Sequence, residues 1–157
     1  LALVSDAGTP TISDPGFKLV RDCRELGLEV IAIPGPCAFV AALAASGLPT
    51  DHFEFAGFVP IKSGKRRQVL LSALSCAHTT IWYESPHRIL KTLAELAELN
   101  PTVTVSVARE LTKTHEESLR GPVCSVLATL NDRSGRPKGE FVLMLNPNIS
   151  STREAAP

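Results

Sequence analysis

Apolar residues fall in short blocks separated by loops rich in glycine and proline, and the blocks alternate between two periods. Residues 1–4, Leu-Ala-Leu-Val, are continuously apolar and too few for a buried helix, so they read as a strand of a parallel sheet. Phe17, Val20, Cys23 and Leu26 then recur at helical spacing, and Gly27 stands where a glycine ends a helix. Residues 30–33 form a second, β-branched strand, closed by Pro34-Gly35-Pro36. From Cys37 to Ser46 the chain is apolar nearly all round, which predicts a buried helix whose alanines let a sheet approach, ended by Gly47 and Pro49.

The rhythm restarts after Pro49-Thr50-Asp51. Strands are predicted at residues 53–58, 79–83, 103–109 and 141–145, with helices at about 64–74, 86–99 and 123–130. Ile89, Leu90, Leu93, Leu96, Ala97 and Leu99 mark one face of an amphipathic helix. The fold class is α/β in two domains. Residues 1–50 read as the C-terminal half of an N-terminal domain, 51–147 as a C-terminal α/β domain with a mixed sheet, and 148–157 as a flexible polar tail. Two strands in the first piece would leave sheet edges open, so further strands are expected from an N-terminal portion, and the chain reads as a fragment.

Composition narrows the classes. With 157 residues, 44% hydrophobic and 20% charged, the chain is a soluble globular protein by composition. Its formal net charge is zero, so contact with a polyanion has to come from a local patch. Cys23, Cys37, Cys76 and Cys124 stand far apart and read as free thiols in a reducing compartment, and no apolar run reaches the length of a membrane span. The expected location is cytoplasmic, with no membrane partner. Four scattered histidines and the absence of a Cys-x-x-Cys pair give no metal set, and neither phosphate-cradling glycine motif occurs.

The chemistry concentrates where strands end. The loop Ser5-Asp6-Ala7-Gly8-Thr9-Pro10-Thr11-Ile12-Ser13-Asp14-Pro15-Gly16 lies between a strand and a helix, where backbone groups of a parallel sheet meet small ligands. Ser13 or Asp14 ahead of Pro15 is also an ordinary helix cap that needs no ligand. Tyr83-Glu84-Ser85-Pro86-His87-Arg88 and the segment from Arg109 to Glu117 follow two later strands. If those strands are neighbours, Glu84, His87, Arg88, Arg109, Glu110 and Lys113 gather round one cleft; otherwise they are caps and surface ion pairs. Lys62-Ser63-Gly64-Lys65-Arg66-Arg67 carries four positive charges at a helix start, either a solvated end or a phosphate contact, and positive charge there opposes the helix dipole.

These motifs occur in one order, joined by Pro34-Gly35-Pro36-Cys37-Ala38, Ser46-Gly47-Leu48-Pro49, Gly57-Phe58-Val59-Pro60, Ala108-Arg109-Glu110-Leu111-Thr112-Lys113 and Gly139-Glu140. Their order and spacing resemble the ribosomal RNA small subunit methyltransferase I group of the tetrapyrrole methylase superfamily. The resemblance implies two α/β domains, S-adenosylmethionine as cofactor, and 2′-O-methylation of a cytidine in the decoding region of 16S rRNA by a homodimer. By motif, the cofactor would be held by Asp6, Ala7, Gly8, Thr9, Ile12, Cys37 and Ala38, with Glu84 and Ala108 closing over the adenosine. Gly8-Thr9-Pro10, where porphyrin and corrin methylases carry Gly-Asp-Pro, favours the RNA branch.

A ribose hydroxyl is a poor nucleophile while protonated, so a base is expected among Glu84, Glu110, Glu116 and a Lys113 of lowered pKa. Arg88, Arg109 and Lys113 are expected to hold RNA, with Lys62, Lys65, Arg66 and Arg67 as an outer contact. Two alternatives stand beside this: a tetrapyrrole methylase with a wide apolar cleft, and a non-catalytic domain that binds RNA or a protein.

Overall fold

A computed structural model describes residues 1–132, 135 and 137–149. The backbone divides into two compact units, Leu1–Ala38 and Phe39–Pro157. The first contains helix α1 (Phe17–Glu25), whose C-terminal turn closes at Leu26 and Gly27, the latter at φ 70° as its missing Cβ allows. Residues 1–4 and 30–33 do not form the expected strands; Val4, Ile31 and Ile33 are exposed. A strand exists only by pairing, and neither segment has a ladder partner among the described residues.

The second unit runs α2 (Ala38–Ser46, its first residue belonging to the first unit), β1 (Phe53–Phe58), α3 (Ser63–Leu74), β2 (Thr79–Glu84) and α4 (Ile89–Leu99). It continues with β3 (Thr104–Arg109), β4 (Glu117–Pro122), α5 (Val123–Asn131) and β5 (Phe141–Leu145). Its five strands form one mixed sheet in the order β1-β2-β5-β3-β4, with β1 parallel to β2 and the other neighbours antiparallel. Strand β4 was not expected: Glu-Ser-Leu-Arg-Gly-Pro has a single large apolar residue, because an edge strand needs little burial of its own.

The two faces of the sheet carry different cores. Trp82, Val105, Val107, Phe141, Leu143 and Leu145 point to the face covered by Leu70 of α3, Leu93 and Leu96 of α4, and Val126 and Leu130 of α5. Ile81, Ala108, Val142 and Met144 point to the opposite face, where Ala42 and Leu43 of α2 pack. Helix α2 thus buries one stripe, while Val40, Ala41, Ala44 and Ala45 stay exposed, narrower burial than its all-round apolar sequence suggests. Beyond β5, Asn148 and Ile149 are still tied in, by Asn148 N–H to Asn146 Oδ1 and by Thr104 Oγ1 to the Ile149 carbonyl; the rest of the expected tail lies outside the described residues.

Candidate functional site

Within the first unit the two Gly/Pro loops are tied together. Thr9 Oγ1 donates to the carbonyl of Pro36 at 2.9 Å, and a Cβ added at Gly35 would stand 3.3 Å from Thr9 Oγ1. Small residues are what let the loops meet. Ser5 Oγ contacts the carbonyls of Ala7 and Gly8, and Ile12 N–H donates to Thr9 O. Helix α1 is capped by the backbone of Gly16, with no side-chain cap bond, so the expectation of Ser13 or Asp14 as its cap is not met. Asp6, Ala7, Gly8, Thr9 and Ile12 therefore lie on a loop braced against the segment that carries Cys37 and Ala38. Ala7, Gly8 and Ala38 on these loops are exposed and carry short side chains or none.

In the second unit Glu84 is 2% exposed at the end of β2. Its Oε1 accepts from Ser85 N–H at 2.7 Å and pairs with an Arg88 terminal nitrogen at 2.8 Å, while Oε2 accepts from Thr92 Oγ1 at 2.7 Å. A buried carboxylate with partners on both oxygens is a brace between strand and helix, and its acceptors are already engaged. Arg88 is engaged with it and leans on the Val59 carbonyl at 3.4 Å. Ala108 is buried in the row Tyr83, Val142, Ala108 across β2, β5 and β3.

The ends of β3 and β5 meet in a charged knot. Glu110 N–H donates to the Glu140 carbonyl, and Glu140 N–H returns a bond to Glu110 Oε1 at 2.9 Å. Lys113 Nζ lies 3.0 Å from Glu110 Oε1 and 3.1 Å from Glu140 Oε2. The hydrogen bond from Lys113, then that from the Glu140 backbone, holds the Glu110 carboxyl below the usual range; the same contacts, Glu110 first, hold Lys113 above its own. A lysine base needs the opposite shift, so the expectation of a Lys113 with lowered pKa is corrected. Glu110 and Thr112 have φ of 50° and 65°, and Glu116 Oε2 accepts from Thr112 N–H, fixing this turn. Arg109 Nε donates to the Lys138 carbonyl at 2.7 Å, and its guanidinium faces Glu117 at 3.7 Å.

The basic run splits. Lys62, Lys65 and Arg67 are exposed, but Arg66 is buried, with Nε 2.6 Å from Glu95 Oε2 and a terminal nitrogen 3.1 Å from the Ile61 carbonyl. Arg66 is on the inner side of α3, so it is not an outer contact as expected: helical periodicity turns one of the three consecutive cations Lys65, Arg66 and Arg67 toward α4.

Residues 1–126 match the family of Tetrapyrrole (Corrin/Porphyrin) Methylases. The chain belongs to this family. It is similar to "Ribosomal RNA small subunit methyltransferase I" of Vibrio cholerae, 48% identical over 147 residues that cover 93% of this chain and 51% of the relative. The protein of that name from Escherichia coli O157:H7 is 49% identical over 146 residues, covering 92% and 51%. Both comparisons show that this chain spans about half the length of those curated relatives. Among solved structures, the methyltransferase CobJ aligns with TM-score 0.58 and 20% identity over 88% of this chain and 61% of its own. Uroporphyrin-III-C-methyltransferase from Thermus thermophilus aligns with TM-score 0.57 and 19% identity over 89% and 61%. At that identity the likeness is one of fold.

In this tetrapyrrole methylase family member, one residue escaped sequence reasoning and another, named only within a motif, gains its physical reason. Thr92, a hydroxyl on the buried face of α4, has its only reason in Glu84, and a polar residue in an apolar stripe was the available signal. Gly139, at φ 95°, leaves the space where a Cβ would collide with the Glu110 side chain, which explains a glycine before Glu140.

Proposed function

We propose that this family member serves S-adenosylmethionine-dependent 2′-O-methylation of a cytidine in the decoding region of 16S rRNA. The observation that carries this reading is near one-half identity, over more than nine-tenths of this chain, to proteins named as ribosomal RNA small subunit methyltransferases. The cofactor, when bound, supplies a methyl group on a sulfonium, open to in-line attack by a ribose oxygen.

Within the first unit, Asp6, Ala7, Gly8, Thr9 and Ile12 would hold it from one loop and Cys37 and Ala38 from the other. Glu84 acts through its brace, fixing the end of β2 and the start of α4, since both its oxygens are taken. Lys113 keeps its proton and donates to a ribose or phosphate oxygen, with Glu110 as its anchor. The ribose proton is left to Glu116, since the Lys113 and Glu140 contacts that lower the pKa of Glu110 weaken that carboxylate as a base. Arg109, Lys62, Lys65 and Arg67 supply phosphate contacts. Homodimer formation and a cytoplasmic site of action belong to the proposal; among the described residues no helix is long and apolar enough to cross a membrane.

The test is calorimetric titration of S-adenosylmethionine and S-adenosylhomocysteine into this chain and into a version extended to the length of its relatives, followed by transfer of labelled methyl to small ribosomal subunits. Cofactor binding by the extended protein with label in 2′-O-methylcytidine is the expected result. Label passing only to a porphyrin precursor, or no cofactor binding by either protein, overturns it.

A further inference from the structure

Five aromatic rings line the β1 edge of the second unit on the face that carries α2. Phe39 stacks on Phe55 with centroids 4.3 Å apart, Phe55 meets Tyr83 edge-on at 4.9 Å, Phe58 meets Tyr83 at 5.6 Å, and Phe53 stands 6.4 Å from Phe39. Plain alternation would turn Phe58 to the other face from Phe55. The register shifts between them, with Gly57 at φ 67°, so Phe58 comes opposite Tyr83 and joins the row. Phe58 remains 54% exposed and Phe53 42%. A strand that takes an irregular turn in order to present an aromatic ring to water is unlike a stray surface phenylalanine.

Positive charge follows at once. Lys62 stands four residues after Phe58, within roughly 14 Å of fully extended chain, and Lys62, Lys65 and Arg67 are all exposed. No acidic residue occupies the first turn of α3, so the positive end of its dipole adds to the lysines. Arg67 has only a loose surface pair, 4.0 Å from Glu98. An exposed ring followed a few residues on by exposed cations suits single-stranded nucleic acid, the ring taking a base and the cations its phosphates. A purely apolar partner would gain nothing from those charges.

We infer, on the RNA reading given above, that Phe58 with Tyr83 behind it stacks an unpaired base of an RNA strand whose backbone crosses Lys62, Lys65 and Arg67. The probe is a short single-stranded RNA carrying one 2-aminopurine, titrated into the chain while fluorescence and salt dependence are followed. Phe58→Ala is expected to weaken binding about 5- to 150-fold and to abolish the quenching of 2-aminopurine, with the salt slope unchanged. Phe58→Trp restores both, which separates stacking from misfolding. Lys62→Glu with Lys65→Glu lowers the salt slope and leaves quenching in the residual complex.

Wild-type affinity in Phe58→Ala, equal binding of a duplex RNA, or loss of a dimer in sedimentation when Phe58 is replaced would each overturn the inference, the last in favour of a second copy of this chain. Cofactor titration on the same samples keeps the two readings apart. Binding of S-adenosylmethionine without any Phe58 effect on RNA sinks the stacking alone; Phe58-dependent RNA binding without cofactor affinity sinks the methyltransferase and leaves the stacking.

Discussion

Arg66 and Glu95 form an ion pair at 2.6 Å that fastens the first turn of α3 to the middle of α4, with the Arg66 side chain 3% exposed. Removing one partner strands the other charge away from water, which costs more than the pair itself contributes. Glu95→Ala should therefore lower stability by about 2–4 kcal/mol, less than a fully buried pair because Glu95 keeps some contact with solvent. Replacing both, Arg66→Met with Glu95→Leu, should recover most of it. The urea midpoint of each variant reads this directly, and an unchanged midpoint for Glu95→Ala would mean that water reaches Arg66.

Gly139 and Gly57 both have positive φ, yet only Gly139 has a neighbour where its Cβ would go. Gly57→Ala should cost about 1 kcal/mol from backbone strain alone. Gly139→Ala should cost about 2–3 kcal/mol, since strain is joined by displacement of Glu110. In a Glu110→Ala background the Gly139→Ala cost should fall toward that of Gly57→Ala, a coupling measurable in a double-mutant cycle.

The Glu110–Lys113 pair gives opposite pH dependences at the two ends of the scale. Glu110 titrates lower in the folded chain than in the unfolded one, so its contribution is present above the ordinary glutamate range and is lost as pH falls through its folded value. Lys113 titrates higher when folded, so its contribution is present below the ordinary lysine range and disappears as pH rises through its folded value. Against wild type, Glu110→Gln should flatten the acid limb of a stability profile and Lys113→Met the alkaline limb. Parallel profiles for all three proteins would contradict the pairing.

Glu84 separates a structural carboxylate from a catalytic one. Thr92→Val removes a donor to a buried charge and should cost about 1.5–3 kcal/mol, while Glu84→Ala, which leaves Arg88 without its partner, should cost about 3–5 kcal/mol. Thermal or urea unfolding of both variants is the measurement. A Glu84→Ala protein as stable as wild type would return this residue to the list of bases.

The second unit was legible because its signals are local and period-based. Four of its five strands and all three helices from α3 onward lie within a few residues of the positions expected from apolar spacing. Strand β4 was invisible because pairing with β3 supplies what its own sequence lacks. The strands expected at residues 1–4 and 30–33 failed for the converse reason: apolar sequence proposes a strand, and only a neighbour makes one. At the candidate site, residue types were readable but their engagement was not. Nothing in Lys-Arg-Arg says which arginine faces Glu95, and the partners of Glu84 lie one, four and eight residues away, the last of them, Thr92, on a helix that has to form first.

Gly57 gives the β1 edge a property that no single substitution confers. Because side chains alternate, one surplus residue exchanges inside and outside for everything beyond it: Phe58 outward beside Tyr83, Val59 inward at 1% exposure. With the same letters in an unbroken ladder, the ring would turn to the face that holds the valine now and the valine to the face of the ring. A chain shorter here by that one residue would present the same surface from a regular ladder, so at this edge a gap preserves what a repaired register would reverse.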